Sequence, residues 1–181
     1  AQHTAKVLDN IKANDVVLRL AALFHDIGKP HCYQDSKDGI RHFKGHGKAS
    51  ADMADVIMRR LRFDNETRKA VVQLVYYHDA TFEVGDKYVK RWLNKIGQEQ
   101  FKRLLKLRKA DIMAQNPEYA EERLERIDRI EQILSDVLEK NECFSIKMLS
   151  LDGRDIMRIL NIEPGKQVGT ILNSVLNEVM D

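Results

Sequence analysis

Val16-Val17-Leu18-Arg19-Leu20-Ala21-Ala22-Leu23-Phe24-His25-Asp26-Ile27-Gly28-Lys29-Pro30 sets an apolar run, an ionisable pair and a helix-ending Gly and Pro side by side. Asp15 can cap a helix carrying Val16, Val17, Leu20, Leu23 and Phe24, which Gly28 and Pro30 then end. The run from Leu18 to Phe24 is nearly all apolar and must be buried. An ionisable pair abutting buried apolar chain is costly unless it is paired or binds a metal. Neighbours on a helix point about 100° apart, so His25 and Asp26 can converge only by flanking one point near the helix end. Neutral imidazole with carboxylate suits Zn, Ni, Fe, Mn or Co better than Ca, which prefers oxygen shells. Taken alone, the pair has a plainer reading as a cap or a structural contact.

Outward from that stretch, the three prolines and nine glycines sit between apolar-periodic segments, which predicts helices joined by short loops. After a polar loop from Gln34 to Gly39, a helix from Gly47 to Leu61 is expected to turn Ala51, Ala54, Ile57, Met58 and Leu61 inward. Asn65 is read as the cap of a helix bearing Val71, Val72, Leu74 and Val75 up to Tyr76-Tyr77-His78-Asp79. Asp86 to Ile96 forms a shorter helix and Gln98 to Gln115 a longer one. Pro117 opens a charged helix reaching Lys140, whose mixed charges fit a solvated face. Beyond Ser145, a short extended piece enters a capped helix. Ile162 to Lys166 makes a turn, and Gln167 to Met180 is a final amphipathic helix. The expected class is all-α.

Other ionisable residues fall at the ends and inner faces of these helices. His3 lies on the first, His46 follows a Gly at a helix start, His78 ends a helix, and Asp111 sits beside Ala110 on a basic and apolar helix. Each has a plain explanation by itself; together with His25-Asp26 they form the kind of set from which helical bundles build metal sites. Net charge is +2, from 30 basic and 28 acidic side chains, so any nucleic-acid surface must be a local patch. Cys32 and Cys143 have neither a zinc spacing nor a disulfide framework and read as thiols of a reducing cytoplasm. No apolar run approaches a membrane span and no signal peptide opens the chain. The start, Ala1-Gln2-His3-Thr4, runs straight into a helical pattern without a methionine and reads as part of something longer.

The order of His3, then Leu23-Phe24-His25-Asp26-Ile27-Gly28-Lys29-Pro30, then a distal Asp111, resembles the HD superfamily of metal-dependent phosphohydrolases. That resemblance implies an HD-type helical bundle with a small helical C-terminal extension, and a cation bound by His3, His25, Asp26 and Asp111. In members with two metals, further histidines intervene, and His46 and His78 occupy those places. A narrower likeness covers nearly the whole chain. His42-Phe43-Lys44-Gly45-His46, Leu107-Arg108-Lys109-Ala110-Asp111 and the tail Gly153-Arg154-Asp155, Pro164-Gly165 and Val168-Gly169-Thr170-Ile171-Leu172 resemble bacterial CCA-adding tRNA nucleotidyltransferases, C-terminal to their catalytic head. It implies residues 1–115 as the metal-binding helical domain and 116–181 as a helical region that grips tRNA or other RNA. The Gly-Ser-rich strand and paired aspartates of a nucleotidyltransferase head are not found, so this chain alone is not expected to add nucleotides.

The reaction expected is hydrolysis of a phosphomonoester or phosphodiester, on nucleotides or RNA ends, with one or two ions (Ni, Mn, Co, Fe or Zn, with Mg a further candidate). Asp26 would bridge two ions if both bind. Lys29 can contact substrate phosphate, against a plain role answering the helix macrodipole. His31 and His42, in the loop by the site, can donate to substrate, against the plainer reading of solvent-exposed loop histidines. An RNA-binding part with a purely structural metal site needs the same residues. A helical interaction module without metal does not account for the ligand set.

Overall fold

The computed structural model describes residues 2–35, 41–115, 120–140, 142 and 144–180, with the backbone alone described at 34, 35, 41 and 42. Among the described residues are nine α-helices: α1 (Gln2–Asn10), α2 (Val16–Phe24), α3 (His46–Arg60), α4 (Asn65–Tyr77), α5 (Asp86–Ile96), α6 (Gln98–Met113), α7 (Ala120–Glu139), α8 (Gly153–Leu160) and α9 (Lys166–Met180). The extended exception is a two-stranded antiparallel ladder, β1 (Gln34–Asp35) with β2 (Arg41–His42), which pairs Gln34 with His42. The class is all-α, as expected. Ser36 to Gly39 of the polar loop, Pro117 and Cys143 lie outside the described residues.

Two compact units interleave in sequence: residues 1–81 with 102–127, and residues 82–101 with 128–181. The sequence reading draws one boundary, after residue 115, whereas each unit is built from two segments. Local periodicity cannot reveal this, because the joining contacts are distant in sequence: α5 packs on α9, and Lys90 pairs with Glu142 at 2.7 Å.

In the first unit α2 forms because its start and its face are both specified. The Asp15 carboxylate accepts from the Leu18 amide at 3.1 Å, and its other oxygen from Arg103 Nε at 2.8 Å. These contacts outweigh the effect of burial and hold the Asp15 pKa below its ordinary value. Leu18, Ala21, Ala22 and Phe24 are buried. α3 lies against α4 through Ala51, Ala54 and Met58, facing Val71, Leu74 and Val75, all of them buried; the small alanines allow close approach. Three local expectations need correction. Leu23 is 43% exposed, because the run from Leu18 to Phe24 winds around α2 and only one face packs. Asp64, not Asn65, caps α4: its extended backbone lets its carboxylate accept from the Thr67 amide at 2.8 Å, while Asn65 Oδ1 accepts from Arg68. Leu61 is 57% exposed, because α3 ends at Arg60 and the next turn leaves the packed face.

The turn after His25-Asp26 is pressed onto α3. A Cβ on Gly28 would lie 2.5 Å from the Ser50 amide nitrogen, so no larger residue fits there. The Gly28 N–H itself donates to Ser50 Oγ at 2.9 Å. This contact sets the end of α2 beside the helix that begins with His46.

In the second unit Trp92 stacks on Phe101, with ring centroids 5.9 Å apart and planes within 6°. Val89, Leu93, Ile130, Leu134 and Val137 are buried. Asp152 and Asp155 form a reciprocal capping box at the start of α8, and Asn161 turns the chain in the left-handed region (φ 52°) towards α9. Ile156, Val168 and Leu172 form the apolar contact between α8 and α9.

Candidate metal centre

Each candidate side chain sits at a helix end or on an inner face. His25 is the C-cap of α2, His78 the C-cap of α4, and His46 the first residue of α3. All three orient their rings in the same way. Nδ1 of His25 is 2.7 Å from the Ala22 carbonyl, Nδ1 of His78 is 2.7 Å from that of Val75, and Nδ1 of His46 is 2.9 Å from that of Phe43. A carbonyl only accepts, so Nδ1 carries the proton and donates, leaving the Nε2 lone pair of each neutral imidazole as a ligand.

The Nε2 atoms converge in two groups. His3 Nε2, His25 Nε2 and Asp111 Oδ1 are separated by 2.9 Å (His3 to Asp111), 3.4 Å (His3 to His25) and 3.8 Å (His25 to Asp111). His46 Nε2 and His78 Nε2 are 3.0 Å apart, and each is 3.5 Å from Asp26 Oδ1. Asp26 lies between the groups: its other oxygen, Oδ2, is 3.3 Å from His25 Nε2 and 3.7 Å from His3 Nε2. Ligands about 2.0–2.2 Å from one tetrahedral ion are separated by roughly 3.4 Å, so both groups have the spacing of a first coordination shell. The donor set fits borderline transition ions. Asp26 Oδ1 is also a buried acceptor with no hydrogen-bond partner, which a cation would satisfy.

Electrostatics favours a charged Asp26. Burial opposes ionisation, but the contacts with the imidazoles of His25, His46 and His78 outweigh it and hold the carboxyl far below the usual carboxylate range. In the same way burial lowers the His25 pKa, and the Asp26 carboxylate beside it more than reverses the effect. At His46 the Asp26 carboxylate is the larger influence and raises the pKa against burial. Lys29 Nζ pairs with Asp26 Oδ2 at 2.6 Å. His31 is exposed, and the His42 side chain lies outside the described atoms.

The residues that support Asp111 were not found from sequence. Gln115 Nε2 donates to Asp111 Oδ2 at 3.0 Å, while Gln115 Oε1 accepts from Arg123 at 2.6 Å, which fixes the orientation of the amide. Arg108 donates to the His78 carbonyl at 3.1 Å and lies 3.5 Å from Asp111 Oδ2; burial pushes its pKa down. Together they occupy Oδ2 and leave Oδ1 facing His3 and His25. The four-residue spacing from Asp111 to Gln115 was the available signal. Gln115→Leu is expected to weaken cation binding at the His3, His25, Asp111 group by about 10–100-fold and to spare the His46, His78 group. A cobalt titration followed by visible absorption checks this, and equal weakening of both phases would refute it.

The sequence profile of the HD domain family matches residues 1–159. An A-adding tRNA nucleotidyltransferase of Deinococcus radiodurans is 30% identical over 164 residues, which are 89% of this chain and 37% of that protein. A CC-adding tRNA nucleotidyltransferase of Thermus thermophilus is 31% identical over 159 residues, 87% of this chain and 35% of that protein. The chain therefore spans about a third of the length of the curated relatives it matches.

Proposed function

The chain belongs to the HD domain family, and from that membership we propose that it is a divalent-metal-dependent phosphohydrolase acting on nucleotides or RNA ends, as part of a tRNA nucleotidyltransferase-like protein. The observation that carries the proposal is the Asp26 carboxylate, whose two oxygens face separate groups of histidine and aspartate ligands. His3, His25, Asp111 and Asp26 Oδ2 would hold one ion, and His46, His78 and Asp26 Oδ1 another. When bound, a divalent cation supplies Lewis acidity to a phosphoryl oxygen and makes water a nucleophile near neutral pH.

The side chains around it favour an anionic substrate. Four imidazoles are neutral ligands, and the carboxylates of Asp26 and Asp111 offset only half the charge of two divalent ions. Lys29 and Arg108 add cations rather than anions. A phosphoester brings the missing negative charge. Lys29, 37% exposed at its side chain, would meet a non-bridging phosphate oxygen and neutralise it.

A second reading draws on the relatives, both of which are tRNA nucleotidyltransferases: an RNA-binding region in which the metal centre is structural. The deciding assay screens nucleoside monophosphates, cyclic nucleotides and a generic phosphodiester with Mn, Ni and Co. Metal-dependent hydrolysis without nucleotidyl transfer is expected. Silence across all substrates, with tRNA binding that falls steeply as salt rises, would establish the second reading instead.

A further inference from the structure

Between the Lys29–His31 turn and the start of α3, the chain passes through β1 and β2, and both residues at the base of that ladder are aromatic. Tyr33 precedes Gln34 and Phe43 follows His42, and Gln34 and His42 are ladder partners. The register therefore brings the rings together, centroids 6.1 Å apart and planes at 56°. Phe43 is bound into the metal centre from two sides. Its carbonyl accepts from His46 Nδ1 at 2.9 Å, and its ring lies 5.7 Å from Lys29 Nζ, which pairs with Asp26. Tyr33 continues the aromatic surface outward and is 45% exposed.

A cationic centre that takes a phosphoryl group, with a lysine that touches Phe43 and through it a half-exposed aromatic ring, offers two kinds of contact in succession. A nucleotide carries the complementary groups in the same order, phosphate and then a planar base, and base stacking on an aromatic side chain tolerates any base identity. Resting on the phosphohydrolase reading above, we propose that Tyr33, backed by Phe43, is the stacking platform for the base of the substrate, so that the centre selects nucleoside phosphoesters over phosphate esters of aliphatic alcohols.

The test uses the whole chain loaded with manganese and compares adenosine 5′-monophosphate with ribose 5-phosphate, which has no base. Binding is measured by calorimetry and hydrolysis by phosphate release. The expected result is tighter binding of the nucleotide, and an approximately tenfold rise in its Kd and KM in Tyr33→Ala with kcat held. Tyr33→Phe should restore both values, and ribose 5-phosphate should respond to neither variant. Unchanged manganese content in Tyr33→Ala ties the effect to the ring. Equal binding of the two esters, or a Tyr33→Ala protein that binds the nucleotide like the parent, overturns the platform while metal-dependent hydrolysis stands. Absence of binding and hydrolysis for both esters overturns the platform, and the phosphohydrolase reading falls with it only when the cyclic nucleotides and the phosphodiester are silent as well.

Discussion

Asp26→Ala is expected to remove bound metal from both ligand groups at once, weakening each by more than about a hundredfold, beyond what loss of a supporting residue costs. Asp26 is the residue the two groups share, with Oδ2 3.3 Å from His25 Nε2 and Oδ1 3.5 Å from both His46 and His78 Nε2. Its loss takes away the carboxylate that faces both Nε2 atoms of the second group and leaves two imidazoles there, a poor site for a dication, since Asp79 lies on the Nδ1 side of His46 at 3.6 Å. The contrast with single-group variants makes the result diagnostic. His46→Ala should lose the second ion and keep the first, and Asp111→Ala should do the opposite. Metal content by elemental analysis, on protein purified without chelators, reads all three. Asp26→Asn preserves the volume and controls for misfolding. Full metal occupancy in Asp26→Ala would show that the bridge is not used.

Stripping the metal from the parent protein should cost nearly as much. His25, His78 and Asp111 are 1%, 3% and 6% exposed, so the ligands cannot turn to water when the cation leaves. The Nε2 atoms of His46 and His78 then face one another at 3.0 Å, and Asp26 Oδ1 stays buried without a donor. Binding that favours the folded state contributes about 4 kcal/mol when free metal is a thousandfold above Kd. For a chain of this length that corresponds to roughly 10 °C in Tm. Thermal unfolding before and after EDTA, and again after adding Mn, Co, Ni or Zn, checks the expectation. Mg should restore less, because most of the donors are nitrogen. An unfolding temperature indifferent to chelator and metal, in a protein that retains no metal, would remove the basis for a metal centre here.

Legibility in the sequence followed range. The start of α2 was readable because Asp15 and the apolar run are adjacent, and so was the class, because Gly and Pro fall between periodic segments. The six candidate ligands were found from their places at helix ends and from the family resemblance, and the structure gathers all of them. What escaped depends on geometry that no spacing encodes. Asp64 and Asn65 are both good caps, and only backbone angles choose between them. Gln115 reads as an ordinary polar residue until Arg123 orients its amide. The interleaving of the two units rests on pairs as remote as Lys90 and Glu142.

The acceptors that orient His25, His46 and His78 are main-chain carbonyls, each three residues upstream. Every amino acid has such a carbonyl, so replacing Ala22 or Val75 by another helix-compatible residue of similar size leaves the imidazole tautomer unchanged. Inserting or deleting one residue before His25 or His78 would keep that local bond, since some carbonyl still falls three residues upstream, but would swing the ring about 100° around the helix and away from the other ligands. The centre is thus tolerant of substitution and intolerant of shifts in length. Distant chains that carry it will be recognised better by conserved gaps around their histidines than by the identity of the intervening letters.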